Sequence, residues 1–166
     1  LKLLPYQSLY FLNYHYSEIE PVFPEKIMDK TDLGLVKKSA TAILLVAGIA
    51  HPQALCTYLN QYTNTFDALI FPDHYSFQQK DMKLINEKFE KLKATEKIII
   101  VTEKDAARIV SQADEWSSFH HILYKLPIKV NILNNQESNF KTKIYNYVTE
   151  DSRNSRLFKV ENKNKS

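Results

Sequence analysis

The chain has 166 residues, 44% of them hydrophobic and 25% charged, which suits one globular domain with its own core and leaves no room for a second complete domain. Its 22 basic and 19 acidic residues give a formal net charge of +3 and are scattered along the chain, so no nucleic-acid-binding surface is indicated. The single cysteine, Cys56, excludes an internal disulfide and favours a reducing compartment.

Three sequence features bear on membrane association, on whether the chain is part of a larger protein, and on ATP binding. The longest apolar run, at 42–50, has about half of the ~18 residues that a membrane-spanning helix needs, so the chain is expected to be soluble or at most peripheral. It begins at Leu1 with neither an initiator methionine nor a signal peptide, which suggests a fragment. With only two glycines, Gly34 and Gly48, it has no GxxxxGK[ST] phosphate-binding loop. We therefore expect no ATP site in this chain alone.

The segment 1–35 is predicted to be extended. It is rich in tyrosine and contains Pro5, Pro21 and Pro24, and proline cannot donate a hydrogen bond to a central strand ladder. One or two strands at the edge of a sheet, or between domains, are expected there.

A regular pattern extends over residues 36–150, which we predict to be one α/β domain. Apolar runs alternate with amphipathic stretches. The predicted elements are a buried strand at 41–49, a helix starting near Pro52, a strand at 66–71, a helix at 76–94, a strand at 97–102, a helix at 103–112, one or two strands at 121–133 around Pro127, and a final helix at 138–148. Residues 151–166 lose this periodicity and are predicted to be a flexible polar tail.

Two helix starts carry capping patterns. Ser76 and Gln79 stand three apart, as in a capping box, and Thr102 and Asp105 repeat that spacing. The first pair predicts where the loop after the 66–71 strand ends.

Strands that alternate with helices predict a three-layer α/β/α fold around a mostly parallel sheet of four or five strands. The strands at 42–48, 66–71 and 97–102 should be parallel neighbours. Strand-to-helix loops then open on the carboxyl edge of the sheet, where ligands bind in open α/β folds. These loops carry the unusual polar residues of the chain, which are Gly48, His51, Asp73, His74, Thr102, Glu103, Lys104 and Asp105.

The residues of these loops allow several roles. His74 next to Asp73 could transfer protons or orient a carboxylate, although a histidine taken alone is more often structural. Imidazole and carboxylate groups are also metal ligands, but no pair here has the helical spacing of a zinc protease, and no metal site is predicted. Thr102 and Asp105 are explained by capping alone, whereas Lys104 near a helix start opposes the helix dipole and suggests an anionic partner.

Three motifs taken together resemble one enzyme family. "LLVAGIAHPQAL" at 44–55, "FPDHYSF" at 71–77 and "IIIVTEKDAARI" at 98–109 occur in the order found in the C-terminal half of tetraacyldisaccharide 4'-kinases. The segment "YSEIEPVF" at 16–23 is similar to the linker between the two halves of that family. Any one of these motifs would be weak evidence, but the combination is specific.

This resemblance implies a two-domain kinase of lipid A biosynthesis in Gram-negative bacteria, with its active site in the cleft between the halves. ATP and Mg²⁺ would be held mainly by an N-terminal P-loop domain, with none bound by this chain alone. The partners would be that domain and the lipid A disaccharide precursor. The intact protein would lie at the cytoplasmic side of the inner membrane, attached peripherally and mainly through the other half.

The resemblance also assigns residue roles. His74 matches the histidine that the family pairs with a catalytic aspartate of the N-terminal domain, and Asp73 is placed beside it as the second catalytic residue. Gly48, His51, Thr102, Glu103, Lys104 and Asp105 are expected to contact the cleft or an anion. The chain departs from the family pattern at Tyr75, where many members have a second histidine, and at His51, where asparagine is common.

Two other functional classes remain open. The chain could be a non-catalytic scaffold or binding domain whose loops only cap helices, or an independent metal-dependent enzyme that uses Asp73 and His74. The second lacks any nucleophile or cofactor motif. A glycine-rich phosphate loop in the gene upstream of Leu1 would favour the kinase.

Overall fold

A computed structural model describes residues 2, 4, 7–26 and 32–150. The strands are β1 (Leu12–Tyr16), β2 (Glu20–Pro21), β3 (Ala42–Gly48), β4 (Phe66–Phe71), β5 (Lys97–Thr102), β6 (Leu123–Leu126) and β7 (Ile128–Ile132). The α-helices are α1 (Leu33–Lys38), α2 (Gln53–Leu59), α3 (Gln79–Lys91), α4 (Glu103–Val110) and α5 (Glu137–Glu150), and short 3₁₀ helices span Pro24–Lys26 and Ala113–Phe119.

The main sheet has five strands in the order β2-β6-β5-β3-β4. All neighbouring pairs are parallel except β2 and β6, which are antiparallel. The predicted mostly parallel sheet is therefore confirmed, with β3 between β4 and β5. The register aligns Gly48 with Phe71 and Val46 with Val101, so β3, β4 and β5 end at the same edge.

The core lies on both faces of this sheet because β3 is buried along its whole length. Leu44 and Val46 pack with residues of α3, α4 and the 3₁₀ helix Ala113–Phe119, including the fully buried Trp116. The alternate residues Ile43 and Leu45 pack with residues of α1 and α2 on the opposite face. This alternation produces the predicted three layers, since successive strand residues face opposite sides.

The start of α3 differs from the sequence prediction. The helix begins at Gln79 with Gln78 as N-cap, and the Gln78 N–H donates to Asp81 Oδ2 at 2.8 Å, so the proposed box of Ser76 and Gln79 is wrong. The buried Phe77 ring meets the Trp116 ring edge to face at 5.3 Å. This contact holds the loop against the core ahead of the helix. At α4 the prediction is confirmed, because Thr102 Oγ1 accepts from the Asp105 N–H at 3.1 Å.

Strand β4 lies at one edge of the sheet, and a lysine of α3 covers part of it. Lys88 Nζ donates to both Asp67 carboxylate oxygens, at 2.8 and 2.9 Å, and reaches the Ala68 carbonyl at 3.4 Å. Burial acts to raise the pKa of Asp67, but the hydrogen bonds from Lys88 and from the Ala68 N–H outweigh it and lower the pKa below its ordinary value.

We expect Asp67→Asn to lower the free energy of unfolding by about 0.5–1 kcal/mol at neutral pH, the range for a partly exposed ion pair. Because the folded pKa lies below the unfolded value of ~3.9, this stabilisation is present above that value and is lost as pH falls through the folded pKa. Urea unfolding from pH 7 to pH 2 should therefore show the two proteins converging in acid. Glu90→Gln is the control, since Glu90 is 64% exposed and lies 3.5 Å from Lys97. A difference that persists or grows at pH 2 would contradict the assignment.

The described part of the chain divides into two compact units, one within residues 16–128 and the other formed by residues before 16 together with residues 129–150. In the second unit, β1 and β7 form a two-stranded sheet, and the Tyr10 hydroxyl donates to Asn139 Oδ1 of α5 at 2.8 Å. Of the one or two strands expected around Pro127, there are two, β6 and β7; the predicted final helix is confirmed as α5.

The division predicted from the sequence, into a segment at 1–35, a domain at 36–150 and a tail at 151–166, stays a prediction. The 1–35 segment contains β1, β2 and the start of α1, and a link to a preceding P-loop domain is not tested. The tail at 151–166 lies outside the described residues. Within the described residues, no helix has the length and apolar character needed to cross a membrane.

Candidate active-site edge

The carboxyl ends of β3, β4 and β5 bring together most of the residues selected from the sequence. Gly48 is the last residue of β3, the loop of Asp73 and His74 follows β4, and Thr102 is the last residue of β5. We call this region the carboxyl edge.

Asp105 is the buried centre of the carboxyl edge, with no exposed side-chain surface. Its Oδ2 accepts from the Gly48 N–H at 3.0 Å and lies 2.6 Å from Thr102 Oγ1. One carboxylate therefore joins the end of β3 to the end of β5. The other oxygen, Oδ1, has no hydrogen-bond partner among the described residues and lies 3.7 Å from Nη1 of Arg108.

Gly48 leaves room for this arrangement. A Cβ at this position would lie 3.2 Å from Asp105 Oδ1 and 3.3 Å from the Pro72 carbonyl oxygen, both closer than most Cβ contacts. The backbone of β3 can therefore approach the buried carboxylate and the loop after β4 at the same time. Glycine is needed here for close approach and not for a left-handed backbone.

Asp73, in the loop after β4, and Lys104, in the first turn of α4, form a direct ion pair. The Lys104 ammonium donates to Asp73 Oδ1, and the same oxygen accepts from the His74 N–H at 3.0 Å. The hydrogen bond from Lys104 holds the pKa of Asp73 below its ordinary value. The anionic partner predicted for Lys104 is thus supplied, within this chain, by Asp73.

His74 is presented outward by an unusual backbone. Its φ of 61° lies in the left-handed region, which few residues other than glycine adopt. The side chain is 74% exposed, its Nε2 lies 3.6 Å from Asp73 Oδ2, and its Nδ1 lies 3.0 Å from Nη2 of Arg108. An exposed imidazole on a strained turn, flanked by ion pairs, is available to a ligand.

Arg108 is the residue of this site that sequence reasoning missed. It contacts His74 and the Tyr75 carbonyl oxygen, at 3.4 Å, in addition to Asp105. The signal in the sequence is its place three residues after Asp105 on a helix, which puts both side chains on one face. In the sequence alone, that spacing indicates only an ordinary i,i+3 ion pair, because the position of the loop that carries His74 is not known.

Two selected residues lie apart from these contacts. His51 and Glu103 are exposed, and neither side chain makes a hydrogen bond or an ion pair with another residue in the described part of the chain. Tyr75, where the chain departs from the family pattern, packs with its ring stacked on Phe71 at 4.8 Å between centroids.

The carboxyl edge consists of charged side chains arranged next to the His74 imidazole. One outward imidazole lies beside Asp73 and Arg108, which are themselves paired with Lys104 and Asp105. Among the described residues, no group of three or more histidine, cysteine, aspartate or glutamate side chains has the geometry to hold a metal ion.

A separate open groove of about 550 Å³ lies at the opposite edge, lined among others by Thr41, which precedes β3, and by Lys97, the first residue of β5. Lys97 there already donates to the Phe89 carbonyl and pairs with Glu90. The carboxyl edge carries the denser set of interacting titratable groups, so we take it as the candidate site.

Comparison with known proteins decides the family. The family described as Tetraacyldisaccharide-1-P 4'-kinase matches residues 13–149. The chain belongs to the tetraacyldisaccharide 4'-kinase family. It is 41% identical to the tetraacyldisaccharide 4'-kinase of Bacteroides thetaiotaomicron over 100% of its own length, and 42% identical to that of Parabacteroides distasonis over 89%. The resemblance drawn from the three motifs is confirmed.

The match covers only part of these kinases. The chain spans 45% of the Bacteroides thetaiotaomicron protein and 40% of the Parabacteroides distasonis protein. A solved structure of LpxK from Aquifex aeolicus, an "apo" form described as in complex with ATP, superposes with a TM-score of 0.50 at 14% identity. That superposition covers 87% of this chain and 38% of the other, and it supports the α/β fold.

Proposed function

We propose that this chain is the C-terminal part of a lipid A 4'-kinase and that its carboxyl edge forms one wall of the active-site cleft. The intact protein would transfer the γ-phosphate of ATP to the 4'-hydroxyl of a tetraacyldisaccharide 1-phosphate. The observation that carries the proposal is the family match over residues 13–149, which includes the whole carboxyl edge with its outward His74. The lipid substrate would place the intact protein peripherally at the cytoplasmic side of the inner membrane.

The residues of this chain that could bind a phosphate or a metal ion agree with a nucleotide site elsewhere in the intact protein. It has no glycine-rich phosphate loop, Asp73 is paired with Lys104, and Asp105 is buried against Gly48 and Thr102. These carboxylates do not form a Mg²⁺ site, so we assign ATP and Mg²⁺ to an N-terminal P-loop domain of the intact protein. No step is assigned to either group through residues of this chain.

His74 is the residue of this chain that we assign to catalysis. Phosphoryl transfer depends mostly on positioning and charge stabilisation, with a base that accepts the proton of the attacking hydroxyl. In the intact protein that base would be a carboxylate of the N-terminal domain, oriented by the His74 imidazole. Asp73 would hold the His74 loop, since its carboxylate accepts from the His74 N–H and from Lys104.

The test compares the intact protein with this chain alone. With labelled ATP and tetraacyldisaccharide 1-phosphate, the intact protein should form the 4'-phosphorylated product and the chain alone should form none. Titration calorimetry of the chain with Mg-ATP should show no heat above dilution, because backbone N–H groups that cradle phosphates need a glycine-rich loop. A cooperative melt of the same sample serves as the control for folding. Micromolar ATP binding by the folded chain would mean that the nucleotide site is wrongly placed, and an intact protein without kinase activity would leave the chain as a scaffold.

A further inference from the structure

We infer that Arg108 is a positioning residue that holds His74 as a neutral imidazole protonated on Nε2, so that His74 acts as a hydrogen-bond donor and not as a charged group. The catalytic part of this inference rests on the proposed function, in which His74 orients a carboxylate. The observation behind it is the 3.0 Å contact between Arg108 Nη2 and His74 Nδ1.

The chemistry of the two groups fixes the position of the proton. A guanidinium carries five N–H donors, accepts no hydrogen bond and stays protonated in proteins. The contact at 3.0 Å is therefore a hydrogen bond only if Nδ1 of His74 accepts it. A neutral imidazole has one donor and one acceptor nitrogen, so its proton must lie on Nε2. An imidazolium would instead place an N–H against a guanidinium N–H.

With its proton on Nε2, His74 can donate a hydrogen bond from that atom to another molecule. Nε2 lies 3.6 Å from Asp73 Oδ2, beyond hydrogen-bond distance. Asp73 already accepts from Lys104 and from the His74 backbone through its other oxygen. With the imidazole largely exposed, the Nε2–H points to a position that an incoming carboxylate or phosphate oxygen could occupy.

Arg108 is held firmly enough to impose this orientation. It is 29% exposed, its Nη1 lies 3.7 Å from Asp105 Oδ1, and it donates to the Tyr75 carbonyl at 3.4 Å. Asp105 is in turn bonded to Gly48 and Thr102. A continuous series of contacts therefore leads from the sheet to the Nδ1 atom, which restrains the orientation of an otherwise exposed ring.

Nuclear magnetic resonance of ¹⁵N-labelled histidine in the intact protein tests the inference directly. At neutral pH, His74 should show an unprotonated Nδ1 and a protonated Nε2, with its signals assigned by their loss in His74→Ala. In Arg108→Met the two neutral tautomers should mix, because nothing then holds Nδ1 as an acceptor, and Arg108→Lys should restore part of the preference. Lys125→Met is the matched control, since Lys125 is 30% exposed and pairs with Glu20. This control should leave the tautomer unchanged.

Kinetics separate this inference from the proposed function. Arg108→Met should lower kcat by about tenfold to a hundredfold, the range for residues that orient a functional side chain, with KM for ATP unchanged. If the intact protein is not a kinase but His74 has the expected tautomer, the proposed function fails and the structural assignment of Arg108 stands. A wild-type His74 that is protonated on Nδ1, or an Arg108→Met tautomer identical to wild type in a folded protein, would overturn the inference.

Discussion

His74→Ala is expected to lower kcat of the intact kinase by about a hundredfold or more, at least ~2.7 kcal/mol of transition-state stabilisation, with KM for ATP little changed. The expected loss is large because His74 is the only imidazole among the contacting groups of the carboxyl edge described here, and the residues around it are paired with each other. Loss of an orienting donor acts on the reacting geometry, and the proposed function assigns nucleotide binding to the other half of the intact protein. Steady-state kinetics at saturating lipid substrate measure both parameters.

A structural role for His74 predicts a different result, and His74→Gly separates the two. The φ of 61° strains any residue with a Cβ by roughly 1–2 kcal/mol, which glycine does not incur. We therefore expect His74→Gly to melt at or above the wild-type temperature while losing as much activity as His74→Ala. If His74 were structural, the loss of activity in both variants would follow the loss of folded protein.

Asp73→Asn is the companion control. It keeps an oxygen for the His74 N–H but removes the charge that pairs with Lys104. We expect a smaller kinetic effect than for His74→Ala and a larger effect on stability, kept modest because the Asp73–Lys104 pair is exposed to solvent. A His74→Ala enzyme with normal melting temperature and normal kcat would refute the catalytic assignment.

The sequence predicted the central strands because their signal is local. A strand buried on both faces needs an uninterrupted apolar run, and Ala42–Gly48 and Lys97–Thr102 show one. The start of α3 could not be predicted in the same way. Ser76 and Gln79 have the correct spacing for a cap, but the helix begins later, after Phe77, which packs against Trp116 from a distant part of the chain.

The same distinction applies to the site. Parallel topology alone brings the loops after β3, β4 and β5 to one edge, so Gly48, His74 and Thr102 could be grouped without coordinates. The contact of Arg108 with His74 could not be foreseen because it depends on the left-handed turn at His74, and the burial of Asp105 could not be foreseen because it depends on the close approach of Gly48 at the end of β3. Side-chain contacts between loops are set by backbone geometry that no spacing rule encodes.

The buried carboxylate gives the largest expected effect on stability. Asp105→Ala should lower the free energy of unfolding by about 3 kcal/mol, because it leaves the Gly48 N–H and the Thr102 hydroxyl buried without an acceptor, at roughly 1–3 kcal/mol for each lost partner. For a chain of this size, that corresponds to a fall in melting temperature of roughly 6–12 °C. Calorimetry of the chain measures it.

Glu103→Ala and Gly48→Ala show whether this loss comes from the specific contacts of Asp105. Glu103 begins the same helix, is exposed and carries the same charge, so its removal should change stability by less than about 0.5 kcal/mol. Gly48→Ala should cost about 1–3 kcal/mol, since the added Cβ lies 3.2 Å from Asp105 Oδ1 and 3.3 Å from the Pro72 carbonyl oxygen. In the double variant the first of these contacts is gone, so Gly48→Ala should cost less in the Asp105→Ala background than in wild type. An Asp105→Ala protein as stable as Glu103→Ala would show that the carboxylate does not join the ends of β3 and β5, and strict additivity of the two losses would show that Gly48 does not lie as close to the Asp105 side chain as the structure places it.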